Sequence, residues 1–237
     1  MANLLIDIGN TALKAAWADG MTLGRTFRYQ GERMLEFILS LIEKERPEII
    51  VLSSVRRLSA DKLSRLEDLC DHMMVMNDEL YEKHSIPSYI TPDRASSIIA
   101  SRYLFKGHGC TIFDLGAMLT VDFIDAEGNY AGGCISPGCM TRFKSVNRYS
   151  KHLPLLAMPD ETEEKGKSLI SSIHSGVISG IMFEIDGYIC KNPKNITVFT
   201  GGDANYFAKR MKNSIFVVCN LVLMGLALIA LEYDKTN

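Results

Sequence analysis

Three short segments place an acid or hydroxyl beside glycine at the end of an apolar run. Asp7-Ile8-Gly9-Asn10-Thr11 closes the first run, Asp114-Leu115-Gly116 closes one that begins at Cys110, and Thr200-Gly201-Gly202-Asp203 closes one that begins at Ile196. A strand fixes an Asp carboxylate at its end, and glycine lets the backbone turn and approach a ligand closely. Backbone N–H groups in such turns hold phosphate oxygens. Asn10 and Thr11 add side-chain donors, and Asp7 can organise a hydrated Mg²⁺, which takes one or two carboxylates plus phosphate oxygens. The chemistry these turns predict is nucleotide phosphate binding, with the three turns lining one cleft.

The elements that must position these turns repeat. The offset from Asp7 to Asp114, 107 residues, is near half of the 237-residue chain. Each half begins with a three-strand meander and continues with helices and parallel strands, which predicts a mixed sheet covered by helices. In the first half the patterning predicts strands over 3–8, 12–18, 22–29, 48–53 and 73–76, with Asp19-Gly20 as a hairpin turn. It predicts helices over 31–44, 58–69 and 93–105, with a polar loop holding Pro87 and Pro92 before the last. In the second half it predicts strands over 110–113, 119–124, 130–135, 196–200 and 216–218. The helices are 139–149, 167–190, about 204–211 and 221–232, the last capped by Asn220. The boundary falls near Gly107, giving domains 1–108 and 109–237.

Composition narrows the function classes. Apolar residues make up 47% and charged residues 23%, and 26 basic against 28 acidic residues give a net charge of −2. This balance gives no electrostatic reason to expect nucleic acid or an anionic membrane as partner. The six cysteines show no C-x-x-C spacing and read as reduced thiols. The N-terminal residues lack the basic region of a signal peptide. The apolar stretch 215–231 reads as a strand and a buried helix rather than a membrane span.

With these motifs in order, the sequence resembles the type III pantothenate kinases. Asp7-Ile8-Gly9-Asn10-Thr11, Asp114-Leu115-Gly116, Gly132-Gly133-Cys134-Ile135-Ser136-Pro137-Gly138 and Thr200-Gly201-Gly202 carry the resemblance, which runs nearly end to end through Ser175–Gly180 and the last helix. The family belongs to the sugar kinase, Hsp70 and actin superfamily. The resemblance therefore implies an α/β fold of two ribonuclease H-like (actin-like ATPase) lobes, each a mixed sheet flanked by helices.

It also implies an activity: ATP-dependent phosphorylation of pantothenate, the first step to coenzyme A. ATP would contact Asp7, Ile8, Gly9, Asn10, Thr11, Ala12, Leu13 and Lys14 of the phosphate loop, and Gly116, Ala117, Gly201 and Gly202. Asp93 matches the general base. Tyr89, Arg94, Gly138 and Leu169 match substrate-binding positions, with Arg94 suited to hold a carboxylate by paired hydrogen bonds. Asp7 would hold Mg²⁺ through water, and Asp114 a monovalent cation, K⁺ or NH₄⁺. A cytoplasmic homodimer with no nucleic-acid or membrane partner is implied.

Three positions depart from the family pattern. Pro92 stands directly before Asp93, and Tyr89 lies only four positions ahead of the base. Ala117 replaces a Thr that would face ATP, and Leu169 replaces a Thr that would contact substrate. They keep two alternatives open: a non-catalytic or regulatory homologue on the same fold, and a kinase for another small hydroxyl substrate.

Other residues carry less. The five histidines have no partner at ligand or triad spacing and read as surface or capping groups. Cys134 and Cys139 flank the expected substrate loop, where they read as small residues filling tight turns or as a redox-sensitive site. Lys144, Arg148 and Lys151 form a basic helix face. Gly176 and Gly180 suit close helix packing, including at a dimer interface.

Overall fold

The computed structural model describes residues 2–43 and 45–235. Period-two patterning and continuous apolar runs fold into two five-stranded sheets. The chain divides into two compact units, Met1–Leu104 with Asn220–Asn237, and Phe105–Cys219.

In the first unit, β1 (Asn3–Ile8), β2 (Leu13–Asp19) and β3 (Thr22–Tyr29) form an antiparallel meander. Helix α1 (Met34–Ile42) then leads to β4 (Ile49–Ser54), which pairs parallel with β1. Helix α2 (Ala60–Glu67) leads to β5 (His72–Val75), parallel to β4. The sheet order is β3-β2-β1-β4-β5. Every residue of β1 is buried, as expected of a central strand covered on both faces. Leu4, Ile6 and Ile8 join Ile38, Ile42 and Leu66 of α1 and α2 in one core. Helices α3 (Asp78–Lys83), α4 (Pro92–Leu104) and α8 (Leu221–Asp234) complete the unit.

The second unit repeats this plan. Strands β6 (Cys110–Leu115), β7 (Met118–Ile124) and β8 (Tyr130–Pro137) form its meander. After helices α5 (Cys139–Tyr149) and α6 (Leu169–Lys191), strand β9 (Ile196–Thr200) pairs parallel with β6. Helix α7 (Ala204–Ala208) precedes β10 (Ile215–Val217), parallel to β9. The order β10-β9-β6-β7-β8 is that of the first sheet with each element in its corresponding place. Phe113, Phe199, Phe143, Ile181 and Ile185 centre its core.

The structure corrects several expectations. The domain boundary after residue 108 separates the two meanders, but the last helix does not stay with the second half. Helix α8 is apolar all round and packs on α4 and β1. Its Gly225 lies so close to α4 that a Cβ there would sit 2.0 Å from the Ser96 carbonyl oxygen. Asn220 makes no side-chain cap to α8; its Nδ2 instead donates to Thr26 Oγ1 on β3 at 3.1 Å. The loop before Pro92 holds the unforeseen α3, capped by Asn77, whose side chain accepts from Leu80 N–H. The helix expected over 31–44 spans Met34–Ile42, and Lys44 lies outside the described residues. Ala12 belongs to a turn rather than to β2, because its carbonyl accepts from Gly9 N–H at 3.0 Å. The helix expected from 167 begins at Leu169, because Ser168 caps it with a reciprocal Ser168–Ser171 box. The helix expected to reach 211 ends at Ala208.

Candidate active site

Asp7 leaves β1 beside two partners set by strand register. Lys14 of β2 and Ser53 of β4 stand opposite it, and Ser53 Oγ donates to Asp7 Oδ1 at 3.1 Å. The turn that follows is built on the Gly9 N–H to Ala12 carbonyl bond. That bond occupies the Gly9 amide and turns Asn10 and Thr11 out to solvent. Ile8 and Leu13 are core residues, so only their backbone can reach a ligand. Arg56, just past β4, donates to the Asn10 carbonyl and holds the turn from the side.

Asp93 and Arg94 lie in the first turn of α4. Pro92 opens that helix, a position where its missing N–H matters least. The proline that departs from the family pattern therefore starts the helix. Asp93 is half-buried and its Oδ1 accepts from Arg94 N–H at 2.9 Å; a carboxylate at a helix N-terminus is favoured by the helix dipole. Arg94 is buried. Tyr89 is 71% exposed, on a turn pinned by buried Ile86 and Ile90. Sequence reasoning missed Tyr81 of α3. Burial pushes its phenol up to about 12, helped by the negative charges of Asp93 and Asp78.

In the second unit Asp114 stands opposite Thr120 of β7 and Thr200 of β9. The Thr120 hydroxyl is buried and, among the described residues, without a hydrogen-bond partner. Gly201 adopts φ +92°, and a Cβ there would lie 2.4 Å from Asp114 Oδ1 and 2.5 Å from the Leu115 carbonyl. Only glycine fits that backbone against that carboxylate. Gly202 faces open space. Asp203 N–H donates to the Leu115 carbonyl at 2.9 Å, and burial raises its carboxyl above the ordinary range. Gly138, between β8 and α5, closes the group: its N–H donates to the Ala117 carbonyl at 3.1 Å. A Cβ on Gly138 would lie 2.0 Å from the Gly116 carbonyl. Ala117 itself is exposed, and Thr141 Oγ1 donates to its carbonyl at 2.6 Å.

The structure thus gathers Asp114, Gly116, Ala117, Gly138 and Gly201 in the second unit, and Asp7 to Lys14 with Ser53 in the first. Leu169 opens α6 and is 56% exposed. An open groove of about 480 Å³ runs between α5 and α6, lined by Pro137, Arg142, Ser145, Ser172 and Val177 among others. Cys139 does not suit a redox site: it is buried, and burial pushes its thiol up to about 12, aided by Asp203. A thiol held protonated is a poor nucleophile.

The oxygen donors fit the ions implied for them. Asp7 offers a single carboxylate, which suits a Mg²⁺ that keeps waters and phosphate oxygens. Around Asp114, carboxylate, carbonyls and the unpartnered Thr120 hydroxyl are hard oxygen donors of the kind that coordinate K⁺. Among the described residues no group of three or more His, Cys, Asp or Glu could hold a metal by itself, so phosphate, carbonyl or water would complete either sphere. No helix among them is long and apolar enough to cross a membrane.

Comparison with known proteins supplies the context. The type III pantothenate kinase family profile matches residues 3–191. A type III pantothenate kinase from Flavobacterium johnsoniae is 33% identical over 94% of this chain and 95% of its own. Among solved structures, a Campylobacter jejuni protein assigned to the Baf family of transcriptional activators superposes with a TM-score of 0.67 at 19% identity, covering 98% of this chain and 99% of that one. The ROK hexokinase of Thermus thermophilus gives a TM-score of 0.55 at 13% identity, with full coverage of both chains. At those identities the structures establish the fold alone: two mixed sheets flanked by helices, as in the sugar kinases and actin-like ATPases.

Proposed function

The chain belongs to the type III pantothenate kinase family, and on that premise we propose that it transfers the γ-phosphoryl group of ATP to the primary hydroxyl of pantothenate. The observation that carries this reading is the Asp7 turn, at the end of a buried strand and intact within a family match that spans most of the chain.

Phosphoryl transfer is mostly positioning and charge stabilisation. The outward Asn10 and Thr11 of the first turn would hold phosphate oxygens, and the open backbone at Gly202 would lie against the nucleotide. Asp93 would accept the proton of the attacking hydroxyl as the new P–O bond forms and the bond to the departing ADP oxygen breaks. Arg94 would hold the pantothenate carboxylate, with Tyr89, Gly138 and Leu169 as further substrate contacts. Mg²⁺ at Asp7 and K⁺ or NH₄⁺ at Asp114 would neutralise phosphate charge when bound. Cytoplasmic location and a homodimer belong to the same reading; exposed Ile170 and Phe183 on α6 support the dimer, which sedimentation would test.

The test is direct. Purified protein with ATP, Mg²⁺ and pantothenate, with and without K⁺ or NH₄⁺, should yield phosphopantothenate by mass spectrometry. Asp93→Asn should lower kcat by about 10²–10⁴-fold, the range for a lost general base, with the fold retained by circular dichroism. No product from the native protein sinks the proposal, and full activity in the variant moves the base elsewhere. A second reading, a nucleotide-binding homologue without kinase activity, is favoured by Leu169 and Ala117, which lack the expected hydroxyls. Calorimetry showing nucleotide binding but no pantothenate binding would select it.

A further inference from the structure

Three side chains from three elements of the second unit meet beside the Gly138 turn, and none has a role in the reading above. Arg142 Nη2 pairs with Glu184 Oε2 of α6 and also donates to Ser136 Oγ of β8 at 3.2 Å. Ser136 Oγ in turn donates to Glu184 Oε1 at 2.7 Å. Arg142 Nε donates to the Pro137 carbonyl at 2.8 Å. The two charged side chains are only 22% and 21% exposed.

This placement runs against local preference. Arg142 lies in the opening turns of α5, near the positive end of the helix dipole, where a cation is disfavoured. A half-buried ion pair is also weak evidence for stability, since apolar packing of similar volume often serves as well. What the pair does provide is direction. A planar guanidinium forks to two acceptors in a fixed geometry, here the strand-end carbonyl of Pro137 and the Ser136–Glu184 couple.

The residue next to that carbonyl is Gly138, the single link between β8 and α5. Its other side is pressed against the Gly116 and Ala117 carbonyls. The turn is therefore gripped on one side by the Asp114 loop and on the other by Arg142.

We propose that Ser136, Arg142 and Glu184 form a strut that fixes the Gly138 turn for catalysis, Arg142 and Glu184 acting as positioning residues. This rests on the kinase reading in one respect: it treats Gly138 as a substrate contact. Misplacing a positioning element by about 1 Å can lower rates on the order of a hundredfold. The strut bonds directly to the Pro137–Gly138 turn and reaches the Gly116 and Ala117 backbone only through it, so its loss falls on pantothenate more than on ATP.

Arg142→Met keeps much of the aliphatic volume and removes the fork. It should lower kcat/KM for pantothenate about tenfold to a hundredfold while KM for ATP stays within about twofold. Arg142→Lys keeps the charge facing Glu184 but cannot reach both acceptors, so it should recover part of the loss. Glu184→Gln keeps an acceptor for Ser136 and should also fall between. Equal losses for both substrates that track melting temperature across the three variants would overturn the proposal, as would native kinetics in Arg142→Met.

A second measurement does not depend on turnover. Hydrogen exchange at the Gly138 amide should speed up about tenfold or more in Arg142→Met, the size expected when a local hydrogen bond opens, with β6 protection unchanged. Were the native protein to make no phosphopantothenate, the kinase reading alone would fall. Unaltered Gly138 exchange would then remove the strut as well.

Discussion

The two units carry the same sheet, strand for strand, and finish their first strands with the same carboxylate. Asp7 faces Ser53 on its parallel neighbour, and Asp114 faces Thr200 on its own. Beyond this the turns diverge. The first is one residue longer between its paired strands, points Asn10 and Thr11 outward, and is steadied from the side by Arg56. The second is shorter, carries Ala117, and is packed by backbone from two directions, at Gly138 and at Gly201. A repeated scaffold has thus been used twice in different ways. One turn presents polar side chains to solvent, and the other is closed around its own carboxylate.

The largest consequence concerns the two acids. If the first turn holds the phosphate-bound metal, Asp7→Asn should lower kcat on the order of a hundredfold or more, as expected when charge stabilisation at a phosphoryl group is lost. Asp114→Asn should cost about tenfold, and what it should lose above all is stimulation by K⁺ or NH₄⁺, the oxygen-coordinated ions its carboxylate would hold. Steady-state kinetics with the monovalent cation varied would separate them. Equal losses with cation dependence retained in both would mean that the asymmetry of the turns does not divide their roles.

Adjacent glycines give a smaller and sharper contrast. Gly201→Ala must place a methyl group against Asp114 Oδ1 and the Leu115 carbonyl at a positive φ, so it should destabilise the second unit by about 1–3 kcal/mol, as overpacking does. Gly202→Ala meets nothing within 4 Å. It should melt like the native protein yet raise KM for ATP if its open backbone lies against the nucleotide. Denaturant titration and ATP kinetics on the same two variants read both effects. A silent Gly202→Ala would leave this turn a purely structural feature.

The features shared by the two units are the ones the sequence discloses. Two Asp-x-Gly turns at a fixed offset, each at the end of an apolar run, imply the repeated meander and the strand-end position of both acids. What differs between the units is carried by contacts that leave no local pattern. Arg142 and Glu184 are 42 residues apart and meet only through the packing of α5 on α6. Helix α8 is apolar on every side, so its composition announces burial without indicating which unit buries it. Helix α3 is six residues long, too short for periodicity to distinguish it from a polar loop. Asn220 has the chemistry of a cap, but a tertiary acceptor, Thr26, takes its amide.

The smallest expected effect tests the turns where they carry charges of opposite sign. Three residues beyond Ser53 stands Arg56, bonded to the Asn10 carbonyl; three beyond Thr200 stands Asp203. Burial raises the Asp203 carboxyl above its unfolded value, so the folded state holds that proton more tightly than the unfolded chain does. Its contribution to stability is fully present below the unfolded carboxylate value and is lost as pH rises through the folded one. At neutral pH the buried charge is therefore a net penalty. Asp203→Asn should melt slightly higher than the native protein at pH 7, and the gap should close as the pH falls through the folded value of Asp203. Thermal melts of both proteins across the acidic range would measure it. A gap that widens on acidification would mean that Asp203 is held by a cation in solution, which would make the second turn as much a charged site as the first.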